Sequence, residues 1–143
     1  MARRRRPPVP NDPGTDPMVP RRYRVAAAWA EIEGVRSIAL QPFDGPTPAF
    51  RPGQFNMLYA FGVGEAAISI SGISPDGHML HTIRAVGAVS AALAGLDSGD
   101  MVGVRGPFGT HWPVLEQRGR SVVFVAGGLG LPPLRPAIEQ VLA

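Results

Sequence analysis

The sequence contains neither cysteine nor lysine. Without cysteine the chain has no disulfide bond, no thiolate metal site and no ligands for an iron–sulfur cluster. All 14 basic residues are Arg, which we attribute to coding bias because Ala, Gly, Pro and Arg are abundant together. His78, His81 and His111 lack the spacing of metal ligands or of a nucleophile–base pair. We therefore predict no metal site and no catalytic side chain.

Long apolar runs are also missing from the sequence. No stretch approaches the roughly 20 apolar residues that a membrane-spanning helix needs. The basic N-terminus leads into a Pro-rich segment, whereas a secretory signal would continue with an apolar core. We expect a cytoplasmic protein without a membrane span.

The positive charge is concentrated at the N-terminus. Seven of the 14 Arg lie in residues 1–24, whereas residues 25–143 hold seven Arg against nine of the 11 acidic residues. Residues 1–20 contain four Arg and six Pro, and such a segment cannot recover its ordering entropy by burial. We expect a disordered Arg/Pro-rich arm there. It lacks the interleaved aromatic residues typical of nucleic-acid binding, so no nucleic-acid partner is predicted.

What is present is a series of short apolar segments separated by turns. The 18 Gly and 16 Pro favour short strands over long helices. An Ala-rich segment closed by Gly95 predicts one helix at 88–94. The strongest alternation lies at 54–61, where Phe55, Met57 and Tyr59 share one face. Strands are predicted at 23–29, 35–41, 54–61, 65–71, 79–86 and 101–105, which fits an all-β fold, a small closed antiparallel barrel.

The pattern changes after Gly119. Residues 121–126 are continuously apolar, as in a strand buried on both faces of a parallel sheet. Gly127, Gly128 and Gly130 follow, and a helix is predicted at 132–142. This order indicates the first β-α unit of a nucleotide-binding α/β domain, whose glycines let backbone N–H groups approach a phosphate. One strand and one helix cannot bury their own faces, so we expect residues 120–143 to pack poorly.

Two segments of the barrel carry candidate ligand contacts. The turn from Gly87 to Ser90, with Arg84 just before it, either binds a pyrophosphate or is an ordinary helix start. Ser69 and Ser71 share one face of a strand. Their hydroxyls either bond the polar edge of a flat ring or face solvent.

Taken together and in this order, five stretches resemble the ferredoxin-NADP reductase superfamily. The branch that fits best is the gamma subunits of nickel–iron hydrogenases and sulfhydrogenases, with the anaerobic sulfite reductase B subunit and the dihydroorotate dehydrogenase electron-transfer subunit as relatives. The resemblance implies a six-stranded antiparallel Greek-key barrel of the flavin-binding reductase type with one short helix. The matching stretches are 51–59, 66–71, 81–90, 99–109 and 125–134.

The resemblance places the superfamily's flavin motif, Arg-x-Tyr-Ser, on residues 66–69. The serine is kept as Ser69, whereas Ala66 and Ile68 replace the arginine and the tyrosine, with Ala67 between them. The loss of both side chains leaves the choice between FAD and FMN open. The electron-transfer subunit of dihydroorotate dehydrogenase also has Ile in the tyrosine position, so flavin binding does not require that tyrosine.

The resemblance also assigns a second flavin segment, a phosphate turn and a nicotinamide-phosphate loop. Arg84 is in a position to replace the arginine lost from the flavin motif, and Pro133 occupies the usual proline position after the loop. The flavin segment is Thr82, Ile83 and Arg84; the phosphate turn runs from Gly87 through Val89 to Ser90; the NAD(P) phosphate loop is Gly127, Gly128 and Gly130.

The function implied is that of a flavin-binding electron-transfer subunit between NAD(P)H and an iron–sulfur or hydrogenase-type partner subunit. Residues 21–118 would form the flavin domain, and residues 119–143 the truncated start of an NAD(P) domain. The expected cofactor is FAD, with FMN as the alternative, and full-length members use NAD(P)H. We expect the chain to be inactive by itself, whether as a fragment, a truncated gene product or half of a split subunit. The alternative is a non-catalytic barrel module that has lost the flavin, which the departures at Ala66 and Ile68 favour.

Overall fold

The computed structural model describes residues 16–143. The predicted arm falls largely on residues 1–15, which lie outside the described residues, so it stays a prediction. Residues 16–19 form a turn in which the Val19 N–H donates to the Asp16 carbonyl oxygen at 3.1 Å. The elements that follow are β1 (Arg21–Ile32), β2 (Val35–Pro42), β3 (Phe55–Ala60), β4 (Gly64–Ile73), β5 (Met79–Arg84), α1 (Ala88–Ala94), β6 (Met101–Phe108) and α2 (Leu131–Leu142).

The six strands close into an antiparallel barrel in the order β1-β2-β5-β4-β3-β6. Strands β3, β4 and β5 follow one another as neighbours, and β2 returns beside β5, which is the Greek-key pattern. The predicted six-stranded Greek-key barrel with one short helix is therefore confirmed. Closure pairs β1 with β6 and removes the exposed edges that an open sheet would leave.

Alternation along each strand decides which side chains enter the barrel. In β3 the buried residues are Asn56, Leu58 and Ala60. The apolar row predicted from the sequence, which includes Phe55 and Tyr59, instead lies on the outer surface and is half-buried there. It is sheltered by aromatic neighbours, with the Phe55 and Phe108 ring centroids 6.0 Å apart. The face of β3 that enters the barrel is therefore the one that carries Asn56, Leu58 and Ala60.

Helix α1 closes one end of the barrel with Leu93 and Ala94, which join the core. Gly95 ends the helix with an ordinary φ of −80°, so the left-handed conformation that favours glycine is not used here. The end is fastened by Arg36 of β2 instead. Its guanidinium donates to the Ala94 carbonyl oxygen at 2.8 Å and to the Asp97 carboxylate at 2.8 Å.

The segment before β1 crosses the outer face of β6 at Gly103. A Cβ atom at this position would lie 2.9 Å from the Pro20 Cβ atom and 3.1 Å from the Tyr59 Cβ atom. Only glycine allows this close approach without movement of one of the two neighbours.

The predicted strand at 121–126 is not formed. The segment has no regular secondary structure and no partner strand, and Val123 and Val125 are 83% and 87% exposed. A strand of this kind needs neighbours on both edges for its backbone hydrogen bonds, and the barrel offers none. The helix packs only in part: α2 lies on β4 and buries Pro136 and Ala137, whereas Leu131, Val141 and Leu142 are exposed.

No helix within residues 16–143 is both long enough and apolar enough to cross a membrane.

Candidate functional site

A cavity of about 630 Å³ opens where β4 and β5 separate. The last pair that joins the two strands is Ile70 with His81. Ser69 and Thr82, the next residues of the two strands, both line the cavity, together with residues of α1 and the start of α2. The lining is formed by Ala66, Ala67, Ile68, Ser69, Thr82, Ile83, Arg84, Val86, Gly87, Ala88, Val89, Ser90, Leu129, Pro132 and Pro133.

All ten residues predicted as flavin contacts occur in this lining. They come from three separate segments of the sequence, and the barrel topology places these segments around one opening. The three predicted glycines of the nucleotide loop are not in the lining. Gly128 and Gly130 lie in a single 3-10 turn after Gly127, at the rim, and of this loop only Leu129 reaches the cavity.

The turn before α1 is held by the Ser90 side chain. Its Oγ atom accepts the N–H groups of Val86 at 3.1 Å and Gly87 at 3.0 Å, and its hydroxyl donates to the Gly87 carbonyl oxygen at 3.2 Å. The hydroxyl therefore organises the turn and is already occupied. The first-turn N–H groups of Ala88 and Val89 have no partner within the helix, as in any helix start, and both residues line the cavity.

Arg84 ends β5 at the mouth of the cavity. Its side chain is exposed, and it takes part in none of the ion pairs found within residues 16–143. By contrast, Arg36 and Arg105 are held by Asp97 and Glu65. Arg84 is therefore the cation available to an anionic group in the cavity.

The two serines of β4 have different surroundings. Ser69 is half-buried at the cavity wall. Ser71 is buried on the outer face of the barrel, where its Oγ atom lies 3.4 Å from the Thr82 hydroxyl, which is itself 2.7 Å from the Ser37 hydroxyl. Ser71 does not line the cavity, so of the two candidate hydroxyls the structure leaves only Ser69 for a ligand.

The side chains of Ile68 and Ala66 lie on the other face of β4 from that of Ser69. Both pack partly against the barrel core while still forming part of the lining. At these two positions the cavity is lined by apolar side chains, which offer no hydrogen bond to a ligand. Within the lining there is no aromatic residue.

Behind the cavity wall lies a buried polar pair, His81 and Asn56, which was not predicted from the sequence. His81 is completely buried; its Nδ1 atom lies 3.0 Å from the Ser69 carbonyl oxygen and its Nε2 atom 3.1 Å from the Asn56 Nδ2 atom. Burial lowers the pKa of His81 to about 4, against which its backbone contacts act in the opposite direction. The signal was present in β5, where His81 takes an interior position between the apolar Met79 and Ile83.

The remaining histidines lie away from the cavity. His111 contacts Arg51, with its Nε2 atom 2.9 Å from the guanidinium. The backbone N–H of His78 donates to the Ser74 side chain in the β4–β5 turn. Within residues 16–143 no three His, Asp or Glu residues come together in a way that would hold a metal ion.

Comparisons with known proteins agree with this geometry. No family model matches the chain. The gamma subunit of sulfhydrogenase 1 from Pyrococcus furiosus is 38% identical over 132 residues, which cover 89% of this chain and 44% of that protein. A probable dihydroorotate dehydrogenase B electron transfer subunit from Methanopyrus kandleri is 42% identical over 92 residues, or 64% of this chain and 34% of that protein.

A solved structure has the same fold. The flavohem-like FAD/NAD binding domain of nitric oxide dioxygenase from Vibrio cholerae superposes with a TM-score of 0.74 at 23% identity, over 86% of this chain and 57% of that one. These relatives are consistent with the ferredoxin-NADP reductase superfamily, which the sequence motifs indicate. The chain spans less than half the length of the two relatives described above.

Proposed function

We propose that this chain is the flavin-binding part of an electron-transfer subunit and that it binds FAD in the cavity between β4, β5 and α1. One observation carries the proposal. Ten residues in three segments were assigned to flavin by resemblance, and all ten line a single cavity. Unrelated surface positions would not be expected to meet around one opening.

The cavity suits a flavin in size and in chemistry. Its volume of about 630 Å³ falls within the roughly 300–1,000 Å³ of small-molecule sites. Apolar walls at Ala66, Ile68 and Val89 suit the flat ring, and the Ser69 hydroxyl supplies a hydrogen bond at its polar edge. Arg84 offers a charged, bidentate contact to phosphate.

The departures from the superfamily motif define what this site must do differently. No aromatic ring stacks on the flavin from Ile68, so aliphatic contact replaces stacking there. Ala66 cannot contact a phosphate, and Arg84 takes over that role in the proposal. The first-turn N–H groups of α1 add partial positive charge beside it.

The bound flavin supplies hydride and single-electron chemistry, and the chain supplies binding, orientation and exclusion of water. Two relatives are subunits of a sulfhydrogenase and of a dihydroorotate dehydrogenase. By analogy we propose NAD(P)H as the electron donor, a partner subunit as the acceptor and the cytoplasm as the compartment. Residues 21–118 would be the flavin domain and residues 119–143 the start of the NAD(P) domain.

The test is a titration of the purified chain with FAD, FMN and riboflavin. We expect a yellow complex with one FAD per chain. Ala88→Trp places a large side chain in the cavity from an exposed position on α1 and should abolish binding. Ala91→Trp is the matched control, because Ala91 is exposed on the same helix outside the lining.

A folded chain that stays colourless with all three flavins would refute the proposal. That result would support the second candidate, a non-catalytic barrel module that has lost the flavin. The replacement of the motif arginine and tyrosine by Ala66 and Ile68 is the observation that favours this candidate.

A further inference from the structure

The wall of the cavity depends on a point where the β-ladder stops. Ile70 donates its N–H to the Gln54 carbonyl oxygen at 3.1 Å, on the β3 side of β4. Successive residues of a strand direct their backbone groups to opposite sides. The Ser69 carbonyl therefore points toward β5, beside Ile70 and His81, which form the last β4–β5 pair.

The His81 side chain adds a contact of its own to this carbonyl. Its Nδ1 atom lies 3.0 Å from the Ser69 carbonyl oxygen. A carbonyl only accepts, so Nδ1 carries the proton and Nε2 is the acceptor. The Asn56 Nδ2 group lies 3.1 Å from Nε2 on the other side of the ring and donates to it in this tautomer.

The surroundings of the ring are fully buried and uncharged. Asn56 and Met79 are both buried beside it, and the Asn56 amide also lies 2.9 Å from the Met79 sulfur atom. A hydrogen bond between neutral groups is stronger in such a dry environment, because no water competes for either partner.

We propose that His81 is a positioning residue for the cavity: its Nδ1–H holds the Ser69 carbonyl from inside the barrel, at the last β4–β5 pair. The bond fixes Ser69 at the cavity wall, where β4 and β5 separate. For flavin binding, this inference rests on the proposed function.

The test compares three variants by FAD titration and by urea unfolding. His81→Leu removes the donor and should weaken FAD binding about tenfold, the value of one hydrogen bond. His81→Gln restores an N–H donor and should recover most of the affinity. Asn56→Ala is the matched control, since it removes the Nε2 partner and leaves the bond to Ser69. It should lower stability with FAD affinity within about twofold of the wild type.

Two results would overturn the inference. One is a folded His81→Leu protein that binds FAD as tightly as the wild type. The other is an Asn56→Ala protein that loses as much FAD affinity as the His81 variant, because the buried cluster would then act only through stability.

NMR of the histidine ring tests the same bond without flavin. Nitrogen-15 spectra of the free chain should show a protonated Nδ1 and an unprotonated Nε2, and this measurement decides the matter even where His81→Leu fails to fold. The opposite tautomer would contradict the inference. A wild-type chain that binds no flavin but shows the expected tautomer would refute the proposed function alone and leave the bond to Ser69 standing.

Discussion

The Oγ atom of Ser90 lies 3.0 Å from the backbone nitrogen of Gly87 and caps the turn that enters α1. Removal of this acceptor in Ser90→Ala should lower the free energy of unfolding by about 1 kcal/mol, as for other helix caps. Because the turn lines the cavity, FAD affinity should fall as well. Urea unfolding and FAD titration measure the two effects.

Ser98→Ala is the control for that variant. Its hydroxyl donates to the Ala26 carbonyl oxygen at 3.0 Å, and it does not line the cavity. Equal losses of FAD affinity in the two variants would contradict a special role for the Ser90 turn.

Arg84 should contribute to affinity through the phosphate of the cofactor and not through the flavin ring. We expect Arg84→Gln to weaken FAD and FMN binding about tenfold, since charge-assisted hydrogen bonds are among the strong ones. Riboflavin, which has no phosphate, should bind the variant and the wild type equally. Arg120→Gln, at an exposed position outside the lining, controls for net charge. An equal loss of riboflavin affinity would rule out the phosphate contact.

The hydrogen bond from Arg36 to the Ala94 carbonyl oxygen should stabilise the folded chain more than the ion pair of Arg36 with Asp97 does. Arg36→Ala breaks both bonds, and we expect it to lower the free energy of unfolding by about 1–2 kcal/mol. Asp97→Asn removes only the ion pair to a carboxylate that is 76% exposed, and pairs of this kind contribute less than about 1 kcal/mol. Chemical denaturation of both variants tests the difference. A larger loss for Asp97→Asn would reverse this assignment.

Gly103 should tolerate no side chain. Gly103→Ala forces the Pro20 segment or Tyr59 to move, and overpacking of this kind costs about 1–3 kcal/mol of stability. Gly127→Ala is the control: its backbone is extended and nothing lies within 4 Å of a Cβ atom there. Thermal unfolding of both variants is the measurement. Similar midpoints for the two would show that β6 is not closely covered.

His81 should make the folded state sensitive to acid. Its pKa is lowered from 6.5 to about 4 in the folded chain, so between these values the unfolded chain binds more protons. Stability should therefore be constant above about pH 6.5 and fall as the pH decreases toward 4, by on the order of 3 kcal/mol.

The same pH series on His81→Gln isolates this contribution, because the carboxylates titrate alike in both proteins. The difference in unfolding free energy between the two should change across the pH range 4–6.5 and level off above it. A difference that does not vary with pH would contradict a neutral, buried His81.

Much of the barrel could be predicted because its signals are local. Turn residues and period-two alternation located all six strands to within a few residues, and the helix at 88–94 has the expected bounds. Which face of β3 enters the barrel could not be predicted in the same way. Both faces of the strand carry apolar residues, so the sequence alone does not decide that Leu58 lies inside the closed barrel and Tyr59 outside.

For the candidate site, too, some features follow from the sequence and others only from the tertiary structure. Sequence by itself determined which residues are candidates for a flavin site, including Ser69, Arg84 and the Gly87–Ser90 turn, because the order of motifs along the chain can be compared without a structure. Tertiary structure decided that these segments share one cavity and that the Ser90 hydroxyl is used by its own turn. It also decided that 121–126 is not a strand and that His81 supports Ser69 from inside. Each of these depends on which groups remain free for hydrogen bonding once distant strands are paired, and pairing is a property of the whole fold.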